Sequence, residues 1–386
     1  MSAPALYDLS PTLRLLIMAL LFASGPLLLV YLRNRRTAPL GRMHALAVVT
    51  LFLTFDLVLF GAFTRLTDSG LGCPDWPGCY GSASPLGASG AIDAAQQALP
   101  SGPVTQGKAW VEMVHRYLAL AVGVLIIVLT AVAWLGQRQR GLRPTSRTVW
   151  ASVTLVWVCV QGLFGALTVT MKLFPAIVTL HLLGGYVLLA MLAVQVVQLQ
   201  RKRTQAPRNA LPGAVRGWIA AALAMLFLQA ASGAWVSANY AVLACSDFPM
   251  CQASWWPVMN FQQALELWRP LGLTQSGEHI SFEALTAMHF LHRMLALLTL
   301  GLVGSLAAHL WGYSTLQRSA RWLGALLVLQ AVTGISNVVF EWPLLTAVIH
   351  TGGAGALVVV LVGLLASTHS QTAAQRAVEF ANRWTR

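Results

Sequence analysis

The chain has 386 residues and a formal net charge of +13; 57% of its residues are hydrophobic and only 10% are charged. Soluble domains carry about 25% charged residues, so this composition excludes an ordinary soluble protein. The positive charge does not indicate nucleic-acid binding, because the basic residues lie in short loops between long apolar segments.

Nine apolar segments follow one another along the chain. They span residues 13–32, 43–63, 111–135, 149–170, 176–199, 215–238, 284–311, 321–340 and 344–368. Segments of about 20 residues form helices in lipid, where the backbone must satisfy its own hydrogen bonds. The sequence therefore predicts an all-α, polytopic transmembrane helix bundle, with long polar connections at 64–110 and 239–283. No small-residue cleavage site follows segment 13–32, so we expect it to be retained.

The basic residues predict the orientation in the membrane. Most of them fall in links on one face: Arg33, Arg35, Arg36, Arg42, Arg138, Arg140, Arg143, Arg147, Arg201, Lys202, Arg203, Arg208, Arg216, Arg318, Arg321, Arg376, Arg383 and Arg386. Lysine and arginine collect on the cytoplasmic side of membrane proteins. We therefore expect a multi-pass protein of the bacterial cytoplasmic (inner) membrane, embedded in lipid, with both long connections on the outer face.

The second half of the chain repeats motifs of the first. Gly61-Ala62, Cys73, Asp75, Pro77 and Cys79 recur as Gly233-Ala234, Cys245, Asp247, Pro249 and Cys251, and Gln161 and Gly165 recur as Gln330 and Gly334. Each half has four apolar segments, which predicts two parallel four-helix repeats related by an axis along the membrane normal. The predicted units are an extra N-terminal hydrophobic segment with a basic loop (1–42), the first repeat (43–199), a cytoplasmic linker (200–214), the second repeat (215–368) and a cytoplasmic tail (369–386).

One histidine lies in each of four repeated segments: His115, His181, His292 and His350. Each lies about four to eight residues inside the outer end of its apolar segment, so the four form one layer. Ionisable residues inside a membrane are costly and usually functional. Two facing helices in each half then predict a histidine on either side of a flat macrocycle, as in bis-histidine heme ligation. The alternative is a hydrogen-bonded histidine in helix packing. A soft metal is disfavoured because no thiolate lies at that depth, and zinc would require convergent ligands at closer spacing.

Arg116 and Arg293 directly follow two of these histidines. They are predicted to pair with heme carboxylates, unless they only extend towards the interface. Gly184-Gly185 and Gly352-Gly353 follow the other two histidines, and either admit a macrocycle or allow close helix packing.

Glu112 lies one helical turn before His115, on the same helix face. The matching residue of the second half is His289, so the halves are chemically unequal. This inequality predicts one reactive site, with Glu112 as its acid, and one electron-relay site. The alternative is a structural glutamate that the helix dipole favours, with Lys108 as its ion-pair partner.

Two cysteine pairs occupy the long connections, Cys73 with Cys79 and Cys245 with Cys251. On an oxidising face, such pairs predict two disulfides, and a redox-active pair is the alternative. Cys159, inside an apolar segment, is expected to pack between helices.

Residues 65–79 (RLTDSGLGCPDWPGC), 112–116 (EMVHR) and 161–169 (QGLFGALTV) resemble heme A synthases, as do His181, His292-Arg293 and His350. The resemblance covers about residues 43–368. Segment 13–32 lies outside this eight-span pattern, and is interpreted as a ninth span, an interfacial helix or a partner contact.

The resemblance implies oxidation of the C8 methyl of heme O to the formyl group of heme A, by successive hydroxylations with molecular oxygen. It implies that His292 and His350 hold the iron of a heme b. His115 and His181 would face the substrate heme, with Glu112 near the reacting methyl. A heme O synthase is the expected partner, the electron donor is unidentified, and a homo-oligomer stays open.

Two other functions suit parts of the sequence. A diheme b-type electron-transfer cytochrome would also use four histidines, but electron transfer across a bilayer favours hemes at different depths. A transporter with parallel repeats would need broken helices near the midplane, which the apolar segments do not indicate.

Overall fold

The computed structural model describes residues 10–139, 143, 145–207 and 209–370. The helices are α1 (Ser10–Asn34), α2 (Pro39–Leu66), α3 (Ser89–Ala98), α4 (Gln106–Arg138), α5 (Ser146–Thr170), α6 (Pro175–Thr204), α7 (Gly213–Ala238), α8 (Phe261–Ala264), α9 (Phe282–Trp311), α10 (Gln317–Val339) and α11 (Leu344–Ser367). Within the described residues, all except α3 and α8 are long and apolar enough to cross a membrane. The predicted all-α polytopic bundle and its nine apolar segments are thus confirmed. Of the residues that predicted the orientation, Arg140, Arg208, Arg376, Arg383 and Arg386 lie outside the described residues.

Each half of the chain forms a ring of four helices. In the first half, α2 packs on α4, α4 on α5, α5 on α6, and α6 on α2. In the second half, α7, α9, α10 and α11 follow the same order. Consequently α4 and α6 stand at opposite corners of the first ring, and α9 and α11 at opposite corners of the second.

The two rings join through α2, α6, α7 and α11, which bury the largest apolar cluster. The Tyr186 hydroxyl crosses this interface and donates to the backbone oxygen of Thr351 at 2.7 Å. At the outer ends of α2 and α7, Arg65 donates to the backbone oxygen of Ser237, and Tyr240 donates to Asp68. The last two contacts each join a residue to its own repeat equivalent, 172 residues further along the chain, as is expected beside a two-fold axis that relates parallel repeats.

The extra segment 13–32 lies in α1, which packs along α4 and α2. Leu15, Ala19 and Ala23 recur every fourth residue and are almost fully buried, so they form the contact face of α1. Phe22 stacks on Tyr117 of α4 with 5.9 Å between ring centroids. Length and packing favour a ninth span over an interfacial helix.

Several boundaries differ from those predicted. α2 begins at Pro39, because proline suits the first turn of a helix. α6 continues to Thr204, where three basic residues complement its C-terminal dipole. Beyond it, β1 (Asn209–Leu211) pairs in parallel with β2 (Thr368–Ser370), which ties the predicted linker to the start of the tail.

Cys159 is exposed on the surface of α5 and does not pack between helices as predicted. Hydropathy locates a span but does not distinguish its lipid-facing side, because lipid and protein interior are both apolar.

Candidate functional site

The four predicted histidines lie on helices at opposite corners of the two rings. His115 is on α4 and His181 on α6, whereas His292 is on α9 and His350 on α11. Counted from the helix starts, His181 and His350 lie about 9 Å deep, and the other two lie about 14 to 15 Å deep. Two of the four are therefore further inside their helices than predicted. The reason is that Thr105 and Ser281 cap α4 and α9 and start these helices before the apolar residues begin.

Each imidazole rests against a glycine of the neighbouring helix. A Cβ on Gly233 would lie 2.8 Å from Cε1 of His292, and one on Gly61 would lie 3.0 Å from Cε1 of His115. A Cβ on Gly165 would lie 3.5 Å from Cε1 of His181, and one on Gly334 would lie 3.3 Å from Cε1 of His350. The repeated glycines therefore give the histidines room between helices.

The histidines have nitrogens available as ligands. Within the described residues, Nε2 of His115, His181 and His350 makes no hydrogen bond, and Nδ1 of His115 and of His181 is buried without a partner. On His292, Nδ1 lies 2.8 Å from the Ser232 hydroxyl. No group of three or more His, Cys, Asp or Glu side chains in the described part of the chain would hold a metal ion. Pairs of imidazoles from opposite helices fit bis-histidine ligation of a heme, which supplies the other four ligands itself.

Glu112 is buried and anchors the first disulfide loop. Its Oε2 accepts a hydrogen bond from the Cys73 N–H at 2.8 Å, and its Oε1 pairs with Arg116. In the second half, Nδ1 of His289 accepts from the Cys245 N–H at 3.3 Å. Glu112 and His289 are thus structural equivalents that differ in charge.

Two expectations for Glu112 are corrected. The helix dipole acts most strongly in the first turn of a helix. Because α4 begins at Gln106, Glu112 lies beyond that turn. Lys108 pairs with Asp68, at 3.5 Å, and not with Glu112. The ion-pair partner of Glu112 is instead Arg116, on the opposite side of it along α4. Spacing does not decide between the two, because Lys108 and Arg116 both lie four residues from Glu112.

Arg116 and Arg293 hold the two disulfide loops by their backbone oxygens. Nη1 of each donates at 2.9 Å to an aspartate carbonyl oxygen, Asp75 for the first and Asp247 for the second. Further acceptors are the carbonyl oxygens of Pro77 and Gly78 in the first loop and of Met250 and Cys245 in the second. The guanidinium groups therefore already bind the loops. The pairing of these arginines with heme carboxylates stays a prediction.

The cysteines form the disulfides Cys73–Cys79 and Cys245–Cys251. After each disulfide the chain turns back, and the repeated aspartate accepts two backbone N–H groups. Asp247 accepts them from Gln252 and Ala253 at 2.6 and 2.9 Å. The N–H groups of Ala253 and Gln252 hold the pKa of Asp247 below its ordinary value of 3.8.

The glycines after His181 and His350 serve helix packing. A Cβ on Gly184 would meet the amide of Gln161, and one on Gly353 would meet the amide of Gln330. Gln330 in turn donates to the backbone oxygen of His350 at 2.9 Å. The structure therefore supports close helix packing, the second of the two interpretations of these glycines.

Sequence reasoning missed Gln229, Ser232 and Thr333, which surround the second-half histidines. Aligning the residue before each repeated glycine would have found two of them. That residue is a phenylalanine in the first half but Ser232 or Thr333 in the second.

Residues 44–362 match the model of the COX15-CtaA family, described as cytochrome oxidase assembly proteins. A heme A synthase of Shewanella oneidensis is 36% identical over 324 residues, covering 81% of this chain and 93% of that protein. A heme A synthase of Halalkalibacterium halodurans is 27% identical over 301 residues, covering 76% of this chain and 86% of that protein. Rhodospirillum centenum has one that is 29% identical over 338 residues, covering 82% and 84%. The described fold, the paired histidines and these similarities agree, and the chain belongs to the heme A synthase family of cytochrome oxidase assembly proteins.

Proposed function

We propose that this chain is a heme A synthase, a membrane oxidoreductase that converts heme O to heme A. The reaction would oxidise the C8 methyl to a formyl group by successive hydroxylations with molecular oxygen. The observation that carries the proposal is the paired arrangement of histidines, one pair in each ring, in a chain similar to named heme A synthases over most of its length.

We assign His292 and His350 to a heme b, and His115 and His181 to the substrate heme. When bound, the heme b would supply electron transfer to the substrate site. The assignment is supported by the difference between the halves, since only the first places a carboxylate, Glu112, one turn from its histidine. An acid there can exchange a proton with the reacting centre, or stabilise positive charge that develops at the methyl carbon.

The disulfide loops are proposed to cover the outer ends of the two sites. Each loop is tied to the histidine helix below it through Glu112 and Arg116, or through His289 and Arg293. A loop held in this way limits the access of water to the site. This matters for an oxidation, because exclusion of water prevents side reactions.

The surroundings of the protein follow from the same proposal. Heme O would come from a heme O synthase, and electrons from a separate donor. We place the protein in a bacterial cytoplasmic membrane. The positive-inside rule favours an orientation with both disulfide loops on the outer face, where disulfides persist.

The test is to express the chain with a heme O synthase and to analyse the extracted hemes. We expect heme A in the extract, and we expect the His181→Ala variant to lose heme A but to retain heme b. An extract that contains only heme B and heme O would favour the diheme electron-transfer cytochrome instead.

A further inference from the structure

The two pairs of histidines differ in what their Nδ1 atoms contact. In the second half, Nδ1 of His292 lies 2.8 Å from the Ser232 hydroxyl, and Nδ1 of His350 lies 2.9 Å from the Thr333 hydroxyl. In the first half, Nδ1 of His115 and of His181 is buried without a hydrogen-bond partner among the described residues. Orphaned buried polar atoms are rare and require an explanation.

We assign the direction of the second-half hydrogen bonds from the hydroxyl protons. Ser232 donates its one proton to the backbone oxygen of Gln229 at 2.8 Å, and Thr333 donates to that of Leu329 at 2.7 Å. Each hydroxyl oxygen can then only accept from the imidazole, so the proton of each ring lies on Nδ1. Nε2 is left with its lone pair, as an iron ligand requires.

The amide of Gln229 adds to this environment. Its Nε2 lies 3.1 Å from Nδ1 and 3.4 Å from Nε2 of His292, and it donates to the backbone oxygen of that residue at 3.3 Å. Its Oε1 is buried without a partner among the described residues. Side-chain amides are commonly assigned in either orientation. Rotating this amide by half a turn would make Oε1 a second acceptor for the Nδ1 proton, in exchange for the longer hydrogen bond from Nε2 to the backbone oxygen of His292.

Phenylalanine replaces both hydroxyls in the first half. Phe60 precedes Gly61 as Ser232 precedes Gly233, and Phe164 precedes Gly165 as Thr333 precedes Gly334. The ring of Phe60 stacks on His115, with 6.3 Å between centroids and planes 8° apart. A phenyl ring packs against an imidazole but offers its Nδ1 proton no oxygen acceptor.

We propose that the residues beside the histidines decide how long each site retains its heme: Ser232 and Thr333 in the second half, and Phe60 and Phe164 in the first. The inference rests on the proposed function and deepens it. Ser232 and Thr333 are positioning residues that orient the second-half imidazoles and raise their basicity, which makes that pair a permanent heme site. Phe60 and Phe164 leave the first-half imidazoles as weaker ligands, so a substrate heme can enter and a product heme can leave.

The test measures how fast heme leaves the full-length purified protein, with apomyoglobin as the heme acceptor. In the Ser232→Ala/Thr333→Val variant we expect heme b to leave about 10 to 100 times faster, the usual effect of removing a hydrogen-bond partner of a metal ligand. The low-spin heme b should also be reduced at a higher potential, because a less basic imidazole stabilises the ferric state less. Thr50→Val is the matched control, since Thr50 is a buried threonine that bonds only its own helix, to the backbone oxygen of Leu46.

The converse variant, Phe60→Ser/Phe164→Thr, tests the same idea if the first variant does not assemble. After loading with heme O, we expect heme O to leave at least about tenfold more slowly than from the unaltered chain. Release of both hemes at unaltered rates would overturn the inference.

Single variants separate this inference from the assignment of the halves. Suppose that His292→Ala loses heme b, but heme b leaves the Ser232→Ala/Thr333→Val variant at an unaltered rate. That result would refute only the role of Ser232 and Thr333. Loss of heme b in His115→Ala but not in His292→Ala would show that the halves are assigned wrongly, and the inference would fall with the assignment.

Discussion

Glu112 has two separable properties at the scale of a single residue. Its carboxylate accepts the N–H of Cys73 and pairs with Arg116, which fastens the first disulfide loop to α4. His289 fastens the second loop without a carboxylate. Loop anchoring therefore does not require an acid, so the role proposed for Glu112 as the acid of the first-half site is separate from its role as an anchor.

Replacing Glu112 by Gln or by His is expected to reduce heme A on the order of 100-fold, the usual contribution of a positioned acid or base. Heme O or a hydroxylated intermediate should accumulate, and the heme b spectrum should be unaltered. The measurement is chromatography of extracted hemes from cells with equal amounts of each variant.

Glu112→His is the sharper of the two variants, because it copies the loop anchor that the second half uses. Normal heme A in Glu112→His, together with loss in Glu112→Ala, would mean that Glu112 only holds the loop.

At the scale of helices, the position of each imidazole depends on a glycine in the helix beside it. The contact is closest between α7 and α9, where a Cβ on Gly233 would approach Cε1 of His292 to 2.8 Å. The ring has little freedom to move, because Ser232 and Gln229 hold its other side. Packed interiors respond to the addition of even one methyl group.

Gly233→Ala is therefore expected to displace His292 and to remove most of the low-spin heme b. Gly217→Ala, in the same helix, is the control, since a Cβ at Gly217 has no neighbour within 4 Å. Alanine there should leave heme binding unchanged and stabilise the helix by about 0.5 to 1 kcal/mol. The measurements are the absorption spectrum and the helical circular dichroism of the purified variants. Equal heme contents in the two variants would argue against a role for this close contact.

At the scale of the whole molecule, the two halves are joined at their outer ends by a small group of charged and polar residues. Asp68 accepts from Tyr240 and pairs with Lys108, and the Arg65 guanidinium lies 4.1 Å from the centre of the Tyr240 ring. Burial tends to raise the pKa of Asp68, but the hydrogen bond from Tyr240 and the charges of Lys108 and Arg65 outweigh it and hold the pKa below 3.8. Burial also raises the pKa of Tyr240 above its ordinary value of 10.0, so its hydroxyl remains a donor at neutral pH.

Asp68→Asn should lower the free energy of unfolding by up to about 1 kcal/mol, the range for exposed ion pairs. Because folding lowers the pKa of Asp68, its contribution is complete above the unfolded pKa and is lost as pH falls through the folded pKa. The difference between the unaltered chain and Asp68→Asn should thus be constant from about pH 5 to pH 8 and shrink below about pH 4. Thermal unfolding in detergent at several pH values measures it, with the exposed Glu278→Gln as control. A difference that persists at the most acidic pH would contradict this role of Asp68.

The sequence by itself determined the nine spanning segments, the internal repeat, the histidine of each repeated segment and the cysteine pairs. Hydropathy and repetition are properties of neighbouring residues along the chain, and lipid leaves such segments no alternative to the helix. The presence of one histidine in each repeated segment was predictable in the same way. Their relative depth was not, because Thr105 and Ser281 start α4 and α9 earlier and leave His115 and His292 further inside their helices.

Only the tertiary structure decided which atoms meet. It placed the histidine helices at opposite corners of two rings, turned Arg116 and Arg293 onto the loop carbonyls, and paired Lys108 with Asp68. It also revealed that, among the described residues, hydroxyl groups contact Nδ1 in the second pair of histidines but not in the first. Such contacts join residues far apart in the chain. They depend on how neighbouring helices are rotated and spaced, which the period of a hydrophobic pattern does not specify in a membrane, where lipid and protein core are equally apolar.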